Sequence, residues 1–528
     1  VELTPELLYG LLLAEIAGQR GDLQDAAAFY LEAAKMTRDP RVAERATRIA
    51  LFARDKGRAL ASARLWAELD PENMEAQQAL VLLLLNEGQQ EAALEHLEKL
   101  TSAQGAPTPE RFMEIAALLG RVQDKQAALQ LMERFVARYR ELPEALLAYA
   151  SVALHAGEAQ RAMELVDQAL ARRLDWPEAV VFRARLLYQQ EKTDEALDYL
   201  RGVVEHHPQE RTLRLSYARL LVDAHRFNEA ITQFESLAEV APEDEEVAFA
   251  LGLLSLQTDR LDDAQRYLTR LVQAGKRVPE ASYFLGQVAE AKKQFDEAEA
   301  WYSRVEGGEY YFDSRIRLAA VAARRGNVKD ALLQLEALQV QDAEEAVRVY
   351  LAQAEILAGA EQLQQALSVY NGALEKFPDH TDLLYARALL AERMDRVAQA
   401  EEDLKRILAK EPSNAQALNA LGYTLVDRTD RHGEALGYIQ KALELRPKDP
   451  YILDSMGWVQ YKLGNYQKAL GYLRHAFELQ RDPEVAAHLG EVLWASGDRE
   501  GARGVWERAM KEHPDSQPLK DVMQRFSP

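Results

Sequence analysis

The chain has 528 residues, 48% of them hydrophobic and 28% charged, a balance that folds in water at a length too great for one ordinary core. Its 85 acidic and 64 basic side chains give a formal net charge of −21, which repels phosphate backbones and argues against nucleic acid as a partner. Cysteine is absent, excluding disulfides, thiolate metal sites and a cysteine nucleophile, and no apolar run approaches the length of a membrane span.

Strong helix formers dominate and no stretch alternates as a half-buried strand does, so the class is all-α. A small residue recurs along the whole chain, as alanine at 26, 59, 93, 128, 162, 196, 230, 264, 298, 331, 366, 400, 435, 469 and 502. The steps are 33 to 35 residues, the period of a helix-pair repeat, and they predict about fifteen pairs. Twelve residues after the alanine comes proline in seven units, at 71, 208, 242, 378, 412, 447 and 514, where it stops the second helix. Five residues before the alanine comes glycine in six, at 21, 88, 157, 326, 464 and 497, where it turns the chain out of the first. A further small position on the first helix, as at Gly252, Gly286, Gly457 and Gly490, predicts close packing of the pair.

In chain order, residues 4–100 are N-terminal repeats, partly degenerate. Their first helix carries Leu7, Leu8, Leu11, Leu12 and Leu13 over more than one face. One neighbouring helix cannot bury so wide an arc, so Leu8, Leu11 and Leu12 are candidates for contact with upstream helices, a partner or a second copy. The connection 101–109 is the longest and the best candidate for a hinge, with Gly307-Gly308 a weaker second. Residues 108–306 form central repeats and 311–514 C-terminal ones. Residues 516–528 hold a capping helix, Gln517 to Phe526, and a tail.

Catalytic patterns are missing. There is no G-x-x-x-x-G-K-[ST], no G-x-G-x-x-G, no H-E-x-x-H and no G-x-S-x-G. The adjacent pair His206-His207 sits where a helix ends and is favoured there by the dipole alone. Neither an enzyme, a cofactor nor a metal is expected.

The repeat resembles the tetratricopeptide repeat over nearly the whole chain, as in MGWVQYKLGNYQKALGYLRHAFEL from Met456 to Leu479. The resemblance implies a right-handed superhelical solenoid in which helix A of each pair lines a concave groove. Groove positions in the last three repeats carry Asn419, Tyr423, Asp454, Trp458, Tyr461, Glu491 and Trp494. Such rings anchor interfaces, and they equally cement neighbouring repeats; both readings stand. A central set, Arg185, Tyr188, Arg219, Phe249, Tyr283 and Gln287, is the second candidate for binding protein. Lysine is absent from the groove positions assignable at the second, fifth and ninth places of helix A, which disfavours a chaperone adaptor with a carboxylate clamp.

The segments DSMGWVQYKLG, Asp454 to Gly464, and HLGEVLWASGD, His488 to Asp498, are similar to a proteobacterial group of long tetratricopeptide lipoproteins. That resemblance implies a non-enzymatic adaptor that brings peptidoglycan hydrolases to a periplasmic carboxyl-terminal processing protease. It also implies a place on the periplasmic face of the outer membrane. The lipid anchor would lie upstream of residue 1, since no lipidated cysteine is present. The alternative is a periplasmic scaffold for envelope assembly or polysaccharide export. Self-association is compatible with either.

Overall fold

The computed structural model describes residues 4–102 and 108–526. Within them the chain forms thirty-one α-helices and no strand. Fifteen are helix A and fifteen helix B of successive hairpins, from Pro5–Arg20 with Leu23–Thr37 to Pro483–Ala495 with Arg499–Glu512. The last helix, Gln517–Phe526, is the predicted cap, and it buries Leu519 and Val522. Two compact units divide between residues 254 and 255, inside helix Glu245–Gln257, whereas the sequence suggests breaks at 101–109 and Gly307-Gly308. Residues 103–107 of the first suggested hinge lie outside the described residues. In the first unit one continuous apolar core runs from Ala14 to Leu186. In the second the core comes in separate patches, and the helices B of repeats nine and ten, Phe295–Ser303 and Val328–Glu336, shrink to nine residues each.

Every one of the fifteen register alanines is at most 1% exposed. The physical reason is visible where helix A carries glycine. A Cβ on Gly286 would collide with Tyr302, on Gly422 with Ile439, on Gly457 with Leu473 and on Gly490 with Trp506. Each large residue stands four after its register alanine, one turn along helix B, so it fills the notch that the glycine leaves. At Gly422 and Gly457 the same Cβ would also press the carbonyl of the register alanine, at 3.1 Å from Ala435 and 3.2 Å from Ala469. Helix A and helix B thus touch backbone to backbone.

Helix ends follow the punctuation. Leu69, His206, Val240, Lys376, Lys410, Leu445 and Glu512 each close a helix B two residues before the repeating proline. The six predicted turn glycines all hold positive φ, from +69° to +101°. The same register position is left-handed in seven further units, at Arg54, Glu191, His225, Asp259, Lys293, Glu361 and Asp395, with φ between +55° and +62°. There a hydrogen bond from the following amide back to helix A, such as Gln294 N–H to the Ala289 carbonyl at 2.8 Å, closes the turn. The hairpin holds the left-handed residue whether or not glycine is supplied.

Candidate functional site

The aromatic stripe of the last repeats is built by three helices A, Ala415–Arg428, Pro450–Lys462 and Pro483–Ala495. Each starts firmly: Asn414, Asp449 and Asp482 accept hydrogen bonds from first-turn amides, and proline opens the second and third. His488 on the third helix organises the cluster. Its Nδ1 lies 3.0 and 3.1 Å from the two carboxylate oxygens of Asp454 on the second. Its ring stacks on Trp458, with centroids 4.1 Å apart and planes 21° from parallel. The Lys462 ammonium stands 4.7 Å from the centroid of that indole.

A longer tie crosses a whole repeat. The Tyr423 hydroxyl of repeat thirteen donates to the Glu484 carboxylate of repeat fifteen at 3.2 Å. Tyr461 donates to Glu491 at 3.4 Å, and Arg525 of the capping helix pairs with the same carboxylate at 3.4 Å. Trp494 packs against Trp506 of helix Arg499–Glu512 and against Phe526 of the cap, at 6.0 and 5.7 Å between centroids.

Burial fixes what the stripe offers. Asp454, Trp458 and Glu491 are 6%, 5% and 7% exposed, while Asn419, Tyr423, Tyr461 and Trp494 are half-buried. Most of the Trp458 surface therefore cements repeats fourteen and fifteen, and the half-buried members present the edge of the cluster. Two polar atoms inside it, Trp458 Nε1 and Asn419 Oδ1, are buried with no hydrogen-bond partner among the described residues. Burial opposes a charge on His488, but the charge and hydrogen bond of Asp454, with Glu484 and Glu491 behind them, outweigh it. The imidazole is held above its ordinary pKa. Burial likewise raises the Tyr423 and Tyr461 phenols, with the nearby glutamates adding to it. His488 and Glu484 were not singled out in the sequence, although His488 opens the segment HLGEVLWASGD.

The central set is divided. In the first unit, Arg185 and Tyr188 of Pro177–Gln189 meet Arg219 of Arg211–Asp223 around a cavity of about 180 Å3. Tyr188 donates to the Asp223 carbonyl at 3.2 Å and Arg219 pairs with Glu246. Phe249 is half-buried. Tyr283 and Gln287 belong to the second unit, where Tyr283 is buried and stacks on Tyr310 with centroids 4.8 Å apart. The adjacent histidines part company: His206 bonds the Gly202 carbonyl and His207 reaches Asp175. At the N-terminus Leu8 and Leu12 are 48% and 51% exposed, Leu11 is half-buried, and Tyr9 and Ile16 extend the exposed patch. Among the described residues no helix is long and apolar enough to cross a membrane.

Family models described as tetratricopeptide repeat match residues 187–254 and residues 249–310, 316–381, 385–450 and 455–517, together more than half of the chain. The chain belongs to the tetratricopeptide-repeat family, whose members are generally non-enzymatic scaffolds for other proteins. A model described as anaphase-promoting complex, cyclosome, subunit 3 matches residues 123–203. A TPR repeat-containing protein of Pseudomonas aeruginosa is 43% identical over 190 residues, which are 36% of this chain and 32% of that protein. The protein O-mannosyl-transferase TMTC1 of Homo sapiens is 28% identical over 171 residues, 31% of this chain and 19% of the transferase. The matched segments thus span about a third or less of these relatives. One chain of the crystal structure of the APC/C hetero-tetramer Cut9-Hcn1 aligns over 99% of this chain and 97% of its own length, at 15% identity and a TM-score of 0.34, too low to carry a shared architecture.

Proposed function

We propose that this scaffold is the adaptor of a periplasmic carboxyl-terminal processing protease, to which it brings peptidoglycan hydrolases for degradation. The observation that carries the reading is the likeness of Asp454–Gly464 and His488–Asp498 to the lipoprotein LbcA, the Pseudomonas adaptor of the protease CtpA. Those segments are the ones that His488, Asp454 and Trp458 knit into one cluster. The relative of 43% identity, a repeat protein from the same genus, supports the reading without naming a partner. In this role the adaptor performs no chemistry. It raises the encounter rate of protease and substrate by holding both on one solenoid. A lipid anchor upstream of residue 1 would keep the assembly at the periplasmic face of the outer membrane.

Reconstitution with the purified protease and a peptidoglycan hydrolase tests this. Cleavage should accelerate on adding the chain, and truncation of repeats fourteen and fifteen with the cap should abolish the gain. Cleavage rates unchanged by the intact chain would refute the adaptor role. Capture of an export apparatus from envelope extract, with no protease, would favour the scaffold for envelope assembly or polysaccharide export.

A further inference from the structure

Between helix A of repeat ten, Tyr311–Arg324, and helix A of repeat eleven, Ala343–Gly359, lies a cavity of about 270 Å3. Ile316, Ala320, Ala323, Ala352 and Ile356 line it, Arg324 stands on its first wall and Glu355 on its second. Its origin is a missing side chain. Ala320 stands eleven residues before the register alanine Ala331, the position at which other repeats carry Arg185, Arg219, Gln287 and Trp458. With only a methyl group there, the space between the two helices is left open and apolar.

Charge makes one wall different from the other. Arg317 and Arg324 share a single carboxylate, Glu290, at 3.2 and 2.9 Å, and Glu290 also accepts from the Tyr302 hydroxyl. Arg325 is turned to Asp296 and Glu299 of Phe295–Ser303. Two guanidinium groups on one carboxylate leave the first wall with surplus positive charge, in a chain whose net charge is −21. Glu355 lines the second wall and repels a carboxylate placed on its side. An acidic group on a partner is therefore steered to Arg324 while an apolar neighbour enters the cavity.

We propose that this cavity docks one apolar side chain of a partner polypeptide, with an acidic residue beside it engaging Arg324. The proposal needs only that the solenoid binds polypeptide; it holds or fails whatever the fate of the protease reading. The test is fluorescence anisotropy of the full chain with an amidated, fluorescein-labelled pentapeptide, glycine-aspartate-phenylalanine-aspartate-glycine. Saturable binding is expected. It should weaken roughly tenfold when phenylalanine is replaced by alanine, when the aspartates become lysines, or when Ala320→Phe fills the cavity. Arg324→Glu, at an exposed position, should invert the preference between aspartate and lysine peptides, and it serves alone if Ala320→Phe loses its helicity by circular dichroism. Absence of saturable binding, equal binding of the two charge types, or a folded Ala320→Phe with unchanged affinity would overturn the proposal. A dimer by light scattering that Ala320→Phe dissociates would give the cavity to a second copy and overturn it too.

Discussion

Gly490→Ala sets two effects of known size against each other. Gly490 lies in the interior of helix Pro483–Ala495, where alanine is favoured over glycine by about 1 kcal/mol, so propensity alone forecasts a more stable protein. Packing forecasts the reverse. The added Cβ would land on the indole of Trp506, overlapping Nε1, Cε2 and Cδ1. Trp506 is fully buried, stacks on Trp494 and Phe526 at 6.0 and 5.9 Å, and donates through Nε1 to the Ala487 carbonyl at 3.3 Å. It has no empty side to move into. Overpacking of this kind costs about 1–3 kcal/mol, and loss of the buried hydrogen bond about 1 kcal/mol more. Less the propensity gain, a destabilisation of about 1–3 kcal/mol is expected, confined at first to the last repeat and its cap. Because a repeat array need not unfold in one step, local hydrogen exchange over residues 483–526 reads it better than a global melt. The double variant with Trp506→Phe should recover part of the loss, giving a favourable coupling of about 1 kcal/mol. Protection in Gly490→Ala equal to or above the parent, or a coupling near zero, would refute the notch-and-ridge account of the hairpins.

Three further expectations follow from particular contacts. Lys293→Gly should stabilise by up to about 1 kcal/mol, because φ is +59° there, while Gly464→Ala at φ +80° should destabilise by about as much; equal and opposite signs in urea unfolding are the check. Asp403→Ala should cost about 3–5 kcal/mol, since Asp403 is fully buried and grips Arg387 at 2.6 and 2.8 Å, and a change under 1 kcal/mol would mean that the freed guanidinium finds water. The raised pKa of His488 means that its pairing with Asp454 stabilises the fold when the imidazole is protonated. That stability is fully present below the ordinary histidine pKa and is lost as pH rises through the higher folded value. Asp454→Asn should therefore lower the melting temperature more at pH 5.5 than at pH 9; a penalty independent of pH would show that packing, not charge, joins the two repeats.

The alanine register, the proline stops and the extent of the cap were legible in sequence because each obeys a rule local to one hairpin. An alanine spaced by 34 residues meets the same neighbour in every unit, and a proline twelve residues after it stops helix B wherever that unit carries one. The candidate site was legible only in part. Asp454, Trp458 and Tyr461 could be assigned to one face of a helix, but how far each is buried depends on the next repeat. The groove rule pointed at rings; it could not say that His488 would stack against one of them.

What the sequence by itself determined is the class, the period and the punctuation, all set by interactions within one helical hairpin. Only the tertiary structure decided the rest. It joined Tyr423 to Glu484, 61 residues apart, and Asp454 to His488, 34 apart. It held seven residues other than glycine left-handed at the turn between helix A and helix B, because the closing hydrogen bonds of the hairpin outweigh a local cost of about 1 kcal/mol. It also placed the cavity beside Ala320, a feature defined by the absence of a side chain between two helices. Repeat spacing fixes which residues can face one another, but the packing of one hairpin on the next sets which of them touch, which stay wet and where space is left.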